Sequence, residues 1–144
     1  MELELSDVSV RRGSVEIVSG VSVSLAGGDA LLLRGPNGSG KTSLIRTIAG
    51  LLPLGSGRIR LTPEDDRPLA ERTHHIGHAN AVNAALSVKE TLQFWADFLG
   101  GSTESGSVDA AIEAFALGPL ATFPAGLLSA GQKRRVGLAR LLVA

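Results

Sequence analysis

A layered α/β fold is predicted for this 144-residue chain by three features. Apolar and polar side chains alternate along parts of the first 25 residues. A wholly apolar run near residue 30 leads through a glycine-rich loop into a helical stretch. The second half is spaced for amphipathic helices. At roughly 150 residues per domain there is room for one core and little more.

The elements follow in order. Leu3 and Leu5 alternate with Glu2 and Glu4, and Val21, Val23 and Leu25 with Ser22 and Ser24, which predicts half-buried antiparallel strands. After the turn at residues 26–29, Ala30-Leu31-Leu32-Leu33 is apolar throughout, as expected of a central strand covered on both faces. It runs into Gly35–Gly40 and a helix from about Lys41 to Ala49, with Gly50 as its C′ glycine. Gly55-Ser56-Gly57 turns the chain into a strand at Arg58–Leu61. Pro63–Pro68, with three acids, reads as a surface loop, and His74–His78 as a further strand. Ser87 and Glu90 form a capping box for a helix whose face carries Val88, Leu92, Trp95 and Leu99. Gly100–Ser107 is a Gly/Ser-rich loop. Val108, Ala111, Ile112 and Phe115 then repeat helical spacing up to Gly118-Pro119. A last helix begins near Ser129, boxed by Gln132, with Val136, Ala139 and Val143 as a stripe running to Ala144.

Composition narrows the function. Apolar residues make up 44% and charged residues 19%, and 14 Lys plus Arg balance 14 Asp plus Glu, so neither disorder nor a nucleic-acid-binding charge excess is indicated. Cysteine is absent, which excludes disulfides, thiolate metal sites and a cysteine nucleophile. No apolar stretch approaches the roughly 20 residues that cross a bilayer. The N-terminus, Met1-Glu2-Leu3-Glu4-Leu5, carries acids where a secretory leader is basic, so the cytoplasm is the expected address.

Chemistry concentrates in Gly35-Pro36-Asn37-Gly38-Ser39-Gly40-Lys41-Thr42, a full match to G-x-x-x-x-G-K-[ST] between an apolar run and a helix. The glycines let the loop wrap closely, so that backbone N–H groups from about Gly38 to Thr42 converge on phosphate oxygens, helped by the helix dipole. Lys41 is expected to reach the β- and γ-phosphates, and the Thr42 hydroxyl to ligate Mg²⁺. Ser43 completes the stretch, and packing or capping is the simpler use for it.

The second motif is Leu128-Ser129-Ala130-Gly131-Gln132-Lys133-Arg134-Arg135. It resembles the LSGGQ signature of ATP-binding-cassette (ABC) ATPases, with Ala130 at the first glycine, Gly131 at the second and Gln132 at the glutamine. Ser129 and Gly131 begin a helix, so a hydroxyl, free N–H groups and a dipole end face outward toward an anion. The resemblance implies a P-loop NTPase fold of the ABC ATPase type: an N-terminal antiparallel β subdomain, a parallel core sheet with helices, and a helical subdomain. The β and phosphate-loop core would occupy about 1–75 and the helical subdomain about 76–144. It further implies ATP and Mg²⁺ as ligands, and a head-to-tail homodimer in which each signature, Ser129 to Gln132, closes on nucleotide held by the other copy.

Ile76-Gly77-His78-Ala79-Asn80 and Leu86-Ser87-Val88 narrow the resemblance. Most cassettes place a glutamine eight residues before this leucine, and here that position is His78. With the Ser-Ala-Gly-Gln signature, this is similar to the ATP-binding subunits of the haem exporter of cytochrome c-type biogenesis. The resemblance implies membrane-spanning partner subunits, a peripheral place on the cytoplasmic face of the bacterial inner membrane, and no direct haem binding; the balanced charge argues against nucleic acid. At the loop-glutamine position His78 would contact Mg²⁺ or attacking water, or sense the membrane subunit, although Mg²⁺ prefers oxygen ligands. The aromatic residue that stacks on adenine in other cassettes falls at Arg12. A guanidinium stacks on bases, and it also serves as a plain surface charge.

His74, His75 and His78 lack a carboxylate at ligand spacing, and two of the three would share a strand face, so no metal or haem site is expected of them. Lys133, Arg134, Arg135 and Arg140 read as a solvated helix face, and Trp95 as core. No aspartate closes a run of four apolar residues, so the Mg²⁺-holding aspartate and water-polarising glutamate of the resembled family have no candidates, nor has its switch histidine. The fold is therefore expected to be incomplete after the signature helix, with the 144 residues alone hydrolysing ATP hardly at all. Two alternatives stay open: a non-hydrolysing nucleotide-binding fragment, and a soluble cassette ATPase of another pathway.

Overall fold

The structure, a computed structural model, describes residues 1–99 and 105–143. The chain divides into two compact units, Met1–His75 and Ile76–Ala144.

In the first unit, β1 (Glu2–Arg12), β2 (Val15–Ala26) and β3 (Ser56–Thr62) form an antiparallel sheet in the order β2-β1-β3. The register aligns Leu5 with Val23 and Ile59, and Leu3 with Leu25 and Leu61, so the alternating apolar residues form cross-strand rows on one face. In β1 the buried positions change parity, from Leu5 to Val8 and Val10. A bulge explains it. Asp7 sits at φ 52, its N–H donates to Ser22 Oγ at 2.9 Å, and the register shifts there, so both halves of the strand face one core. Gly57 permits that bulge, since a Cβ there would lie 2.2 Å from the Asp7 carbonyl oxygen. Helix α1 (Lys41–Ile48) adds Leu44 to this core. It ends as expected at Gly50, φ 69, where Gly50 N–H bonds Thr47 O and Leu51 N–H bonds Arg46 O, a Schellman pair.

Two strand expectations fail. Ala30–Leu33 has no ladder partner among the described residues, Leu31 and Leu32 are 41% and 70% exposed, and only Leu33 packs on the core. His74–His78 is irregular. An apolar run becomes a strand only by pairing, and the described sheet ends with β2 and β3 as its edges. Accordingly the described residues contain the antiparallel sheet and no parallel one.

The second unit holds α2 (Val88–Phe98), α3 (Ser105–Ala114) and α4 (Ala130–Ala139). Both expected capping boxes are present. Val88, Leu92, Val108, Ala111, Val136 and Ala139 meet in the core. Of the expected loop 100–107, residues 105–107 already belong to α3, while 100–104 lie outside the description. α3 stops four residues before Gly118 because Ala116, φ 49, closes a second Schellman pair, with Ala116 N–H to Glu113 O and Leu117 N–H to Ile112 O, and buries Leu117. After α4 the chain tightens into a 3-10 turn, Arg140–Leu142, with Val143 buried; the stripe's expected end, Ala144, lies outside the description.

Candidate functional site

The glycine-rich loop sits in the first unit, immediately ahead of α1. Gly35, Gly38 and Gly40 have φ of 152, 84 and 87, a backbone that side chains rarely adopt. Gly40 also lies against β2, where a Cβ would stand 2.5 Å from Val18 Cγ2. Pro36 and Ser39 close a turn through Ser39 N–H to Pro36 O at 3.3 Å, which places Asn37 and Gly38 at its tip. All five residues from Gly35 to Ser39 are exposed.

Lys41 folds back over this loop. Its ammonium donates to Gly35 O at 2.8 Å, Pro36 O at 2.6 Å and Ser39 Oγ at 3.3 Å, so the loop is curved around the cation. Gly40 caps α1 without any side-chain acceptor, and the first turn carries no acid. The N–H groups of Lys41, Thr42 and Ser43 therefore have no carbonyl one turn back, and they carry the positive end of the helix dipole. Such a donor set suits an anion. Thr42 is exposed at the loop's rim, where its hydroxyl is free to meet a hard cation beside the anion. ATP with Mg²⁺ fits this donor set. Arg12 lies exposed at the end of β1, paired across the hairpin with Val15.

The other predicted residues belong to the second unit. Ser129 caps α4: its Oγ accepts from Gln132 N–H at 3.3 Å, and its N–H donates to Gln132 Oε1 at 2.8 Å. Gln132 is thus committed to the cap. Ser129, Ala130 and Gly131 are exposed, and a Cβ on Gly131 would meet nothing within 4 Å. Glycine there answers no crowding inside this unit. His78 is exposed in the irregular segment that replaces the expected strand. Among the described residues no three His, Asp or Glu side chains are grouped to hold a metal ion.

The basic residues after the signature are more than a solvated face, since each has a partner in the fold. Lys133 Nζ donates to Gly126 O at 3.1 Å, Arg134 Nη1 to Gly77 O at 2.8 Å, and Arg135 Nη1 to Phe115 O and Ala116 O at 3.2 and 3.1 Å. Arg140 lies 4.4 Å over the Trp95 ring, and its partial burial lowers its pKa. Trp95 is only partly buried, and its Nε1–H donates to Ala81 O at 3.1 Å. These contacts bridge up to 57 residues. The only local hint was Gly137, a glycine inside a helix.

Comparison with known proteins agrees with this geometry. Residues 18–144 match the ABC transporter family. The chain is 49% identical over 141 residues to the cytochrome c biogenesis ATP-binding export protein CcmA of Paracoccus denitrificans, covering 98% of this chain and 62% of that protein. It is 51% identical over 133 residues to the protein of the same name from Rhodopseudomonas palustris, covering 92% and 66%. The chain thus spans less than two thirds of the length of these relatives. Among solved structures it superposes on an ABC transporter ATP-binding protein from Pyrococcus furiosus with a TM-score of 0.88 at 26% identity, over all of this chain and 71% of that one. CbiO1 of Clostridium perfringens, part of the ABC transporter complex cbiONQ, gives 0.75 at 26%, over 98% and 61%. With a glycine-rich loop at one helix start and a Ser-Ala-Gly-Gln cap at another, the chain belongs to the ABC transporter family.

Proposed function

We propose that this chain is the nucleotide-binding portion of the ATP-binding subunit of an ABC exporter serving cytochrome c-type biogenesis, coupling ATP binding and hydrolysis to export of haem. The observation that carries the nucleotide reading is the loop stitched around Lys41 at an uncapped, acid-free helix start. The pathway comes from the relatives' names and their 49% and 51% identity.

In this reading Gly35 to Ser43 wrap the phosphates, Lys41 exchanges its loop carbonyls for phosphate oxygens, and Thr42 ligates Mg²⁺. Arg12 is the candidate for stacking on the base. Ser129, Ala130, Gly131 and Gln132 present the start of α4 to nucleotide on a second copy in a homodimer. His78, at the position where most cassettes carry glutamine, faces the Mg²⁺ or water, or reads the state of membrane-spanning partners. The subunit lies peripherally on the cytoplasmic face of the inner membrane and touches haem only through those partners. Hydrolysis is proposed for the protein at its relatives' full length, because no aspartate of these 144 residues closes an apolar strand.

Lys41→Ala removes both the loop's internal tie and the charge that meets the phosphates. Calorimetry is expected to show MgATP binding abolished in the variant. Unchanged affinity would refute the cradle.

A further inference from the structure

Gly77 and Asn80, the residues that bracket His78 and Ala79, are both held by α4, the helix that begins at the signature. Arg134 Nη1 donates to Gly77 O at 2.8 Å and approaches Asn80 Oδ1 at 3.5 Å. Three residues along, and so on the same side of the helix, Gly137 forms a notch. A Cβ there would meet Asn80 Cβ, O and Oδ1, each at 3.3 Å. A second tie comes from α2, through Trp95 Nε1–H to Ala81 O at 3.1 Å, and Ala81 has the unusual φ of 52. The segment is thus fixed in an unfavourable backbone by contacts at both ends. Arg134 is exposed and has no carboxylate partner among the described residues, so its guanidinium is spent on placing a backbone carbonyl.

We infer that Arg134 is a positioning residue: with the Gly137 notch, it fixes the His78 loop to the signature helix, so that any displacement of the helix start is delivered to His78. The helix rises about 1.5 Å per residue, which puts Arg134 roughly 7.5 Å along a rigid rod from Ser129. A rod of that length moves as one body, and the loop pinned to it moves with it. The inference rests on the reading that His78 and the signature take part in ATP turnover.

The test uses the protein at full native length with its membrane partners, measuring steady-state ATPase activity for Arg134→Ala, His78→Ala and the double variant. Loss of one hydrogen bond to a charged donor predicts a kcat for Arg134→Ala lowered about tenfold or more. KM for ATP stays unchanged, and the rates are compared well below the melting temperature, which the lost bond lowers by a few degrees. The double variant is expected to be no slower than His78→Ala alone, because Arg134 acts only through that loop. Arg134→Lys should recover part of the rate. Gly137→Ala, which gains helix propensity yet pushes on Asn80, should lower kcat with no fall in melting temperature. Multiplying losses in the double variant, or an Arg134→Ala effect carried by KM, overturn the positioning role and leave His78 standing. A silent His78→Ala overturns the His78 reading and this inference together.

Discussion

Ala116 shows how one side chain can work against its backbone. It sits at φ 49 in the Schellman turn after α3, a position glycine fills at the end of α1. An L-residue in this region costs about 1–2 kcal/mol, partly offset because glycine loses more freedom on folding. Ala116→Gly is therefore expected to stabilise the protein by about 0.5–1 kcal/mol, raising the melting temperature by roughly 1–4 °C. Ala116 O accepts from Arg135, and the backbone of the variant keeps that bond. A lowered melting temperature in calorimetry would show that the Ala116 methyl contributes more than its strain costs. Residue-scale features divide sharply in how well they could be read from sequence. The phosphate loop was legible because its glycines, Lys41 and Thr42 lie within eight consecutive residues and each has a local chemical reason. Arg134 and Arg135 were not, because their acceptors, Gly77, Phe115 and Ala116, lie 57, 20 and 19 residues away.

At the scale of elements, both capping boxes could be read in advance because a cap is a contact across three residues. The two boxes differ in one respect that acid exposes. In α2 the reciprocal acceptor is the Glu90 carboxylate, which takes the Ser87 backbone N–H at 2.8 Å. That bond, followed by the Ser87 hydroxyl, holds the Glu90 pKa below its ordinary 4.5. A carboxylate with a depressed folded-state pKa contributes stability that is fully present above the unfolded value and lost as pH falls through the folded one. In α4 the acceptor is the Gln132 amide, which does not titrate. Glu90→Gln should accordingly lower the melting temperature slightly at neutral pH, where the charged acceptor is lost, and flatten its fall as pH drops below about 4.5. Equal acid slopes in circular dichroism melts of both proteins would sink this account. Strand expectations fared worse than helix ones, again for a physical reason. The local pattern at Ala30–Leu33 reports burial, but a strand exists only through a ladder with residues distant in sequence, and no described residue supplies one. The bulge at Asp7 was likewise hidden, although the change from odd to even apolar positions between Leu5 and Val8 was its trace.

For the whole molecule, the glycine-rich loop lies in one compact unit and the signature helix in the other, so each can be perturbed separately. The chain carries no net charge, so no general repulsion opposes two copies approaching. The start of α4 is exposed at Ser129, Ala130 and Gly131, with open space over Gly131. Its backbone donors face a side from which an anion can enter. Ser129→Arg is expected to leave MgATP affinity of the 144-residue chain unchanged, since every cradle residue is in the first unit. In the full-length protein the same variant should abolish ATP-dependent pairing, because the arginine removes the capping hydroxyl and fills the approach to the helix start. Ser129→Ala separates those two effects. It loses the cap, worth about 1 kcal/mol, without adding bulk, and should weaken pairing without abolishing it. Sedimentation velocity with and without MgATP reads both variants directly. An ATP-dependent dimer that persisted in Ser129→Arg would mean that the start of α4 does not close on nucleotide held by another copy. Its open face would then need a different ligand.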